Sequence, residues 1–451
     1  MHEPTPEDAI AAHAVADWAL ERLAGRRQVL PSAPAHGPLP PFTSGGIGTD
    51  AALEALRTTI APTAIPPDHP RYFAFIPGAP TVAAALADMA LSAAMIYGGS
   101  RLEAGLAVEA EDAVVRWLAD IAGLPASAGG TFVSGGSIAN LSALVAARGG
   151  GQQAHRRRVI VAGRSAHASV AAAAHIMGCD LLTAPAADEH GRLDARTLAQ
   201  TLDARRAEEI VAVVATAGAT NTGAFDDLAA IGDVCARRGL WLHVDGAYGG
   251  AALLSPRTRP LLAGIDRADS FIVDPHKMLY TPFDCAAVVY RDSAAARKSL
   301  TQTADYLEAV GDAERPNPSD LAVHLTRRVR GVPLWTSLVA YGTDAYAAAV
   351  DHCLDIAAHA ARRIAGSPVL EAAIAPAFTV ILARRRGWAA EDYAAWCADA
   401  LTRGVAMLMP TRHAGEPLLR FCFVNPLTTR EDVDLVLEDL ARPAPTTPSR
   451  P

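Results

Sequence analysis

D-S-F-I-V-D-P-H-K-M, residues 269–278, decides the reading of this chain. The run 270–273 is short, apolar and rich in strand-forming side chains, and Asp-Pro-His-Lys follows it directly. A strand that stops at such a turn delivers Lys277 to a fixed place. An amine held still there is suited to bond an aldehyde. Most lysines are solvated surface residues, so Lys277 gains its meaning from what surrounds it. Outward from it, β-rich runs at 158–162, 210–215, 240–244 and 285–290 alternate with helical stretches at 137–148, 167–177 and 226–238. That rhythm predicts βαβ units in a mainly parallel sheet wrapped by helices. Ligands on such sheets bind beyond the carboxyl ends of the strands, where the chemistry-bearing residues of this chain fall.

The flanks are simpler. Residues 7–24 read as a helix with Ile10, Val15, Trp18 and Leu23 among its apolar positions. The Pro/Gly-rich stretch 31–48 predicts an extended arm, and 105–122 an amphipathic helix ending at Gly123. Beyond Pro333 a helical stretch, 334–366, leads into a smaller lobe with strands near 377–383 and 418–424. The expected division is an N-terminal helical and extended arm over 1–75, a large domain over 76–335, a small domain over 336–440 and a disordered tail over 441–451.

A chain of 451 residues with 51% hydrophobic and 20% charged residues is globular rather than disordered. A net charge of -8 argues against nucleic acid as the main partner. The six cysteines are scattered, with no C-x-x-C pair and no His cluster at metal spacing, which predicts a reducing cytoplasm and no metal. The N-terminus lacks a secretory pattern, and alanine-rich runs such as 83–94 are too short to span a bilayer.

Four further segments carry chemistry. In T-F-V-S-G-G-S-I-A-N (131–140) a strand end runs through glycines into a helix, so Gly136 and Ser137 are candidates to hold a phosphate on free N–H groups. Ser and Gly are equally common as plain N-caps. In R-S-A-H-A-S (164–169) His167 opens a helix, as a cap or as a flat partner for a ring. The small-residue turn A-T-A-G-A-T-N-T-G-A-F-D (215–226) admits a flat ring, or is a glycine turn with Asp226 capping the next helix. In L-W-L-H-V-D-G-A-Y-G-G (240–250) an apolar strand ends on Asp245. A carboxylate there is costly unless paired, which favours a partner such as a protonated pyridine nitrogen.

Lys277 lies 32 residues after Asp245, 110 after His167 and 29 before Tyr306. At these intervals the chain resembles the group II amino-acid decarboxylases that use pyridoxal 5'-phosphate (PLP), the family of aromatic-L-amino-acid and glutamate decarboxylases. The resemblance runs from about His69 to Asp439 and includes H-P-R-Y-F-A-F (69–75), S-G-G-S-x-A-N, H-V-D-x-A-Y-G-G, D-P-H-K, L-W-x-x-L-x-x-Y-G (334–342) and L-R-F-C-F-V-N-P-L-T-T (419–429). It implies the α/β fold type I of PLP-dependent transferases, with a mainly parallel seven-stranded sheet and a smaller C-terminal α+β domain. By this likeness Lys277 carries PLP, Asp245 pairs with the ring nitrogen and His167 stacks on the ring. Gly136, Ser137 and Asp274 lie on the phosphate side, His276 beside the lysine and Thr220 at the ring edge. Tyr306, in the polar stretch 301–312, matches the tyrosine that returns a proton after carbon dioxide leaves. Phe75, Ile76 and Phe283 match pocket-lining places and favour an aromatic or apolar amino acid, although a core role suits each of them as well. Relatives are mostly homodimers with the active site at the subunit interface, which implies the same here.

The chain departs from the family at A-G-L-A-V-E-A-E (104–111), where S-P-A-x-T-E-L-E is usual, at Ile138, at Ala172 and at Gly246, whose lost methyl is expected to loosen the turn after Asp245. Two other outcomes suit the same fold: oxidative decarboxylation-deamination to an aldehyde, and transamination. For the latter Arg420 is a candidate carboxylate partner, against a strand-edge ion pair.

Overall fold

The structure is a computed structural model that describes residues 3, 5–28, 30, 38–149, 158–305 and 315–442. Helices α1 (Pro6–Ala24), α2 (Thr49–Ala55), α3 (Val82–Ala94), α4 (Arg101–Ala104) and α5 (Leu106–Ile121) precede the first strand. Strands and helices then alternate: β1 (Gly129–Val133), α6 (Gly136–Arg148), β2 (Val159–Gly163), α7 (Ala168–Ile176), β3 (Asp180–Ala184), α8 (Ala195–Leu202), β4 (Ile210–Thr216), α9 (Leu228–Arg238), β5 (Leu242–Asp245), β6 (Ser270–Val273), β7 (Ala286–Tyr290) and α10 (Ser293–Leu300). The remainder holds α11 (Val332–Ala365), β8 (Leu370–Ala372), β9 (Val380–Arg385), α12 (Ala390–Thr402), β10 (Met409–His413), β11 (Glu416–Cys422) and α13 (Arg430–Ala441).

β1 to β7 form one seven-stranded sheet in the order β1-β7-β6-β5-β4-β2-β3. Only β7 runs against the rest, pairing antiparallel with β6 and β1. A parallel sheet must be covered on both faces, and β4, I-V-A-V-V-A-T, is buried along its whole length. One face packs on α5, α8, α9 and the first half of α11. The other packs on the alanine-rich α6 and α7 and on α10, whose small side chains let the helices approach closely. The fold class matches the sequence-based expectation, with β3, α8 and α10 added to the large sheet and its helices.

β8 to β11 form a second, antiparallel sheet in the order β10-β11-β9-β8. Its own core includes Ile364, Tyr393, Trp396, Phe421 and Val436, from α11, α12, α13 and the strands. Phe73 inserts into it, its ring 5.1 Å from that of Phe423. The backbone of Phe73 also accepts from Cys422 N at 3.0 Å, which docks the segment before the large sheet onto the small one. We propose the boundaries 75/76, 335/336 and 440/441 for these parts; 335/336 falls within α11, which bends at Gly342 with φ +73°. The extended arm is described only over 38–48, and residues 443–451 of the expected tail lie outside the described residues.

Candidate active site

Five strand ends of the large sheet open onto one cavity of about 400 Å³. Gly136, Ser137, His167, Thr220, Asp245, Asp274, His276 and Lys277 all line it. The turn after β1 leads into α6, whose N-cap Gly135 supplies no side-chain cap, so the first turn faces the cavity with its N–H groups uncapped. His167 is the N-cap of α7; its Nδ1 accepts the backbone N–H of Ser169 at 3.2 Å.

The turn after β6 positions the lysine. Lys277 Nζ stands 2.9 Å from Asp274 Oδ2, and His276 Nε2 lies 3.6 Å from the same oxygen. Asp274 is buried, and its other oxygen has no hydrogen-bond partner. Burial holds the His276 imidazole below its usual range, against the pull of Asp274. Its Nδ1 packs 2.7 Å from the carbonyl oxygen of Cys285.

Asp245 is buried at the end of β5. Its Oδ2 accepts from Asn140 Nδ2 at 3.0 Å and its Oδ1 from Ala247 N at 3.1 Å. Gly246 does not loosen this turn. A Cβ there would stand 2.8 Å from the carbonyl oxygen of Ile272, and Gly250 N donates to Gly246 O at 2.7 Å. The missing methyl lets the turn close.

The small-residue turn after β4 also differs from the sequence reading. Asp226 does not cap α9; Asp227 does, accepting from Ala230 N at 3.1 Å. Asp226 instead accepts from Leu193 N and Thr216 N, each at 2.7 Å, and burial pushes its carboxyl up to about 7. Gly218 has φ +85°, and a Cβ there would meet Gly249 Cα at 2.8 Å, so only glycine fits. The small sheet pins the turn from outside. Arg420 Nη1 donates to Thr220 O at 3.0 Å, which replaces the strand-edge ion pair expected for Arg420.

The remaining positions lie apart. Ile76 is packed in the main core and does not line the cavity. Phe75 and Phe283 are exposed, the Phe283 ring 5.1 Å from that of His276. Tyr306 lies outside the described residues. The sequence reading assigned no role to Ser134, Asn140, Ser169, Thr216 and Tyr248, which also line the cavity. Asn140 and Ser169 stand in the quoted motifs, and their position one helical turn or less from Ser137 and His167 was the available signal.

A phosphorylated aromatic aldehyde fits these residues. An uncapped helix N-terminus faces the space, Asp274 keeps a buried oxygen without a partner, and Thr216 a buried hydroxyl without one. A Cβ at Gly136 would stand 2.9 Å from Asp274 Oδ2, so the cradle needs glycine.

Residues 48–381 match the pyridoxal-dependent decarboxylase conserved domain. The chain is 32% identical over 392 residues to the aromatic-L-amino-acid decarboxylase of Bacillus atrophaeus, covering 81% of this chain and 79% of that protein. It is 33% identical over 422 residues to the L-2,4-diaminobutyrate decarboxylase of Rhizobium meliloti (strain 1021), covering 90% and 84%. Among solved structures, that of Oryza sativa TDC with PLP and tryptamine superposes with a TM-score of 0.86 at 26% identity, covering 97% of this chain and 99% of that one.

Proposed function

We propose a substrate class and residue roles for this chain, which belongs to the pyridoxal-dependent decarboxylase family. It is a PLP-dependent amino-acid decarboxylase. The substrate is an L-amino acid with an aromatic or apolar side chain, converted to its amine and carbon dioxide. The convergence of Lys277, Asp245 and His167 on one cavity carries the reaction. The exposed ring of Phe283, 5.1 Å from that of His276 beside Lys277, supports the substrate class, because an apolar ring left in water gains by covering an apolar side chain.

Bound PLP supplies an electron sink for the Cα–carboxylate bond. Gly136 and Ser137 would hold its phosphate through N–H groups, Asp245 its ring nitrogen and His167 its ring face. Asp245 arrives with one hydrogen bond on each oxygen, so it can keep a proton at that nitrogen without turning. The Lys277 amine would hold the cofactor and exchange with the substrate amine. Asp274, 2.9 Å from Nζ, would hold the Lys277 amine at the cavity wall. Tyr306, assigned by its sequence match alone, would give the proton to Cα.

The proposed assembly is a homodimer. Met95, Leu102 and Leu106, 89%, 74% and 84% exposed at the end of α3 and in α4 and α5, are apolar side chains that a second copy would cover. Among the described residues no helix is long and apolar enough to cross a membrane. The six unpaired cysteines support a cytoplasmic site.

A panel of L-amino acids tests the reading. Aromatic and apolar substrates should give amine and carbon dioxide in equal amounts with the highest kcat/KM. A preference for 2,4-diaminobutyrate or histidine overturns the substrate class. Aldehyde with peroxide in place of amine overturns the simple decarboxylation.

A further inference from the structure

His243 and Asp245 alternate along β5, and with Trp241, the residue just before it, they share the face toward α6. Trp241 Nε1 lies 2.9 Å from Ser270 Oγ, and Ser270 Oγ lies 2.8 Å from His243 Nδ1. His243 Nε2 lies 2.8 Å from Asn140 Oδ1. Asn140 Nδ2 reaches Asp245 Oδ2 at 3.0 Å and Ser169 Oγ at 2.9 Å, and Ser169 Oγ lies 2.8 Å from His167 Nδ1.

The direction of every bond follows from the two ends. An ionised carboxylate only accepts, so the amide nitrogen of Asn140 must face Asp245 and its oxygen must face His243. His243 therefore carries its proton on Nε2. Its Nδ1 accepts from the Ser270 hydroxyl, whose oxygen accepts the indole N–H of Trp241, a group that only donates. The second Asn140 hydrogen goes to Ser169 Oγ. His167 Nδ1 accepts the Ser169 backbone N–H at 3.2 Å and so carries no proton, which leaves the Ser169 hydroxyl to donate to it. Burial supports the single proton on His243, holding it down to about 4 against the pull of Asp245.

We propose that Trp241, Ser270, His243, Asn140 and Ser169 form one directional hydrogen-bond chain that fixes His167 as its Nε2–H tautomer, the donor offered to the cavity. The five are positioning residues, acting through His167 and Asp245. The chain also ties the two together through Asn140, so the ring partner and the nitrogen partner are set by one amide. The kinetic consequence rests on the decarboxylase reading above; the tautomer does not.

Isotope-labelled histidine tests it. Two-bond nitrogen–proton correlation spectra are recorded on protein free of PLP and substrate, with His167→Gln giving the assignment. Wild type should show His167 and His243 both as Nε2–H tautomers. His243→Phe should leave His167 exchanging between tautomers and lower kcat roughly 10- to 100-fold with KM little changed, the scale seen when partners that orient a histidine are lost. His243→Gln keeps a donor and an acceptor and should restore both. If His243→Phe does not fold, Ser169→Ala decides, with Ser169→Thr as its rescue. An Nδ1–H signature in wild type overturns the chain, and so does a wild-type tautomer retained in the variant that decides. Protein that shows the tautomers yet decarboxylates nothing sinks the function and leaves the chain standing.

Discussion

A Cβ on Gly78 would lie 1.7 Å from the carbonyl oxygen of Lys277. Gly78 N also donates to His276 O at 3.1 Å, so this segment presses its backbone against the turn that holds the lysine. Backbone meets backbone there, and no side chain can swing aside. Gly78→Ala must displace the turn, at a cost of about 1–3 kcal/mol or more for overpacking. The expected result is a lower denaturation midpoint and clearly weaker PLP uptake, read by titration of cofactor absorbance. Unchanged uptake would show that the turn yields without moving the amine.

Lys277→Ala should lose the borohydride-fixed mass increase that wild type shows with PLP. Amine production should fall at least about a hundredfold, the lower range for a lost proton-transfer group. Lys277→Arg should fare no better, since a guanidinium stays protonated and cannot serve as a nucleophilic amine. Intact-protein mass spectrometry before and after reduction checks both. A retained adduct in Lys277→Ala would place the cofactor on another amine.

Much of this site was legible because its residues sit at strand ends. Asp245 and Lys277 follow short apolar runs, and the small-residue and Asp-Pro turns after them tell where each strand stops. The edge strand β3, D-L-L-T-A, was not legible: it is only half buried, so its sequence carries no continuous apolar run. Asp226 was misread because its partners, Leu193 and Thr216, are backbone groups supplied by tertiary approach, which spacing does not encode. Arg420 was misread for the same reason, as its partner is a carbonyl 200 residues away.

Glu111 closes the motif in which the chain departs from its family, and it is buried against Arg327. Its carboxylate takes Arg327 Nη2 at 2.6 and 2.7 Å and Gly331 N at 2.7 Å, with Arg327 Nη1 donating to Gly98 O at 2.9 Å. Both side chains are buried, and burial pushes the Glu111 carboxyl up against the pull of Arg327. Glu111→Ala leaves a buried guanidinium unpaired and should cost about 3–5 kcal/mol in urea unfolding. Joint replacement by Glu111→Leu and Arg327→Met should recover most of that. A loss under about 1 kcal/mol in the single variant would mean that the pair is solvated.

Three histidines, His69, His243 and His324, are each lowered from 6.5 to about 4, all chiefly by burial. Their folded values lie below the unfolded one, so between about pH 4 and pH 6.5 the unfolded chain binds more protons. Their contribution to stability therefore rises with pH across that window and is lost as pH falls through it. Asp226 works the other way: raised from 3.8 to about 7 by burial, it favours the folded state at low pH and loses that contribution as pH rises through about 7. Glu111, Asp88 and Asp269, also raised by burial, act in Asp226's direction, so the histidine contribution is read from the difference between wild type and a histidine variant. The fully buried His243 alone should account for about 3 kcal/mol between neutrality and pH 4, at about 1.36 kcal/mol per pKa unit. Urea midpoints of wild type and His243→Gln, measured at intervals over this range, check the sign. His243→Gln should lower the slope, and a slope equal to that of wild type would show that His243 is protonated in the folded protein.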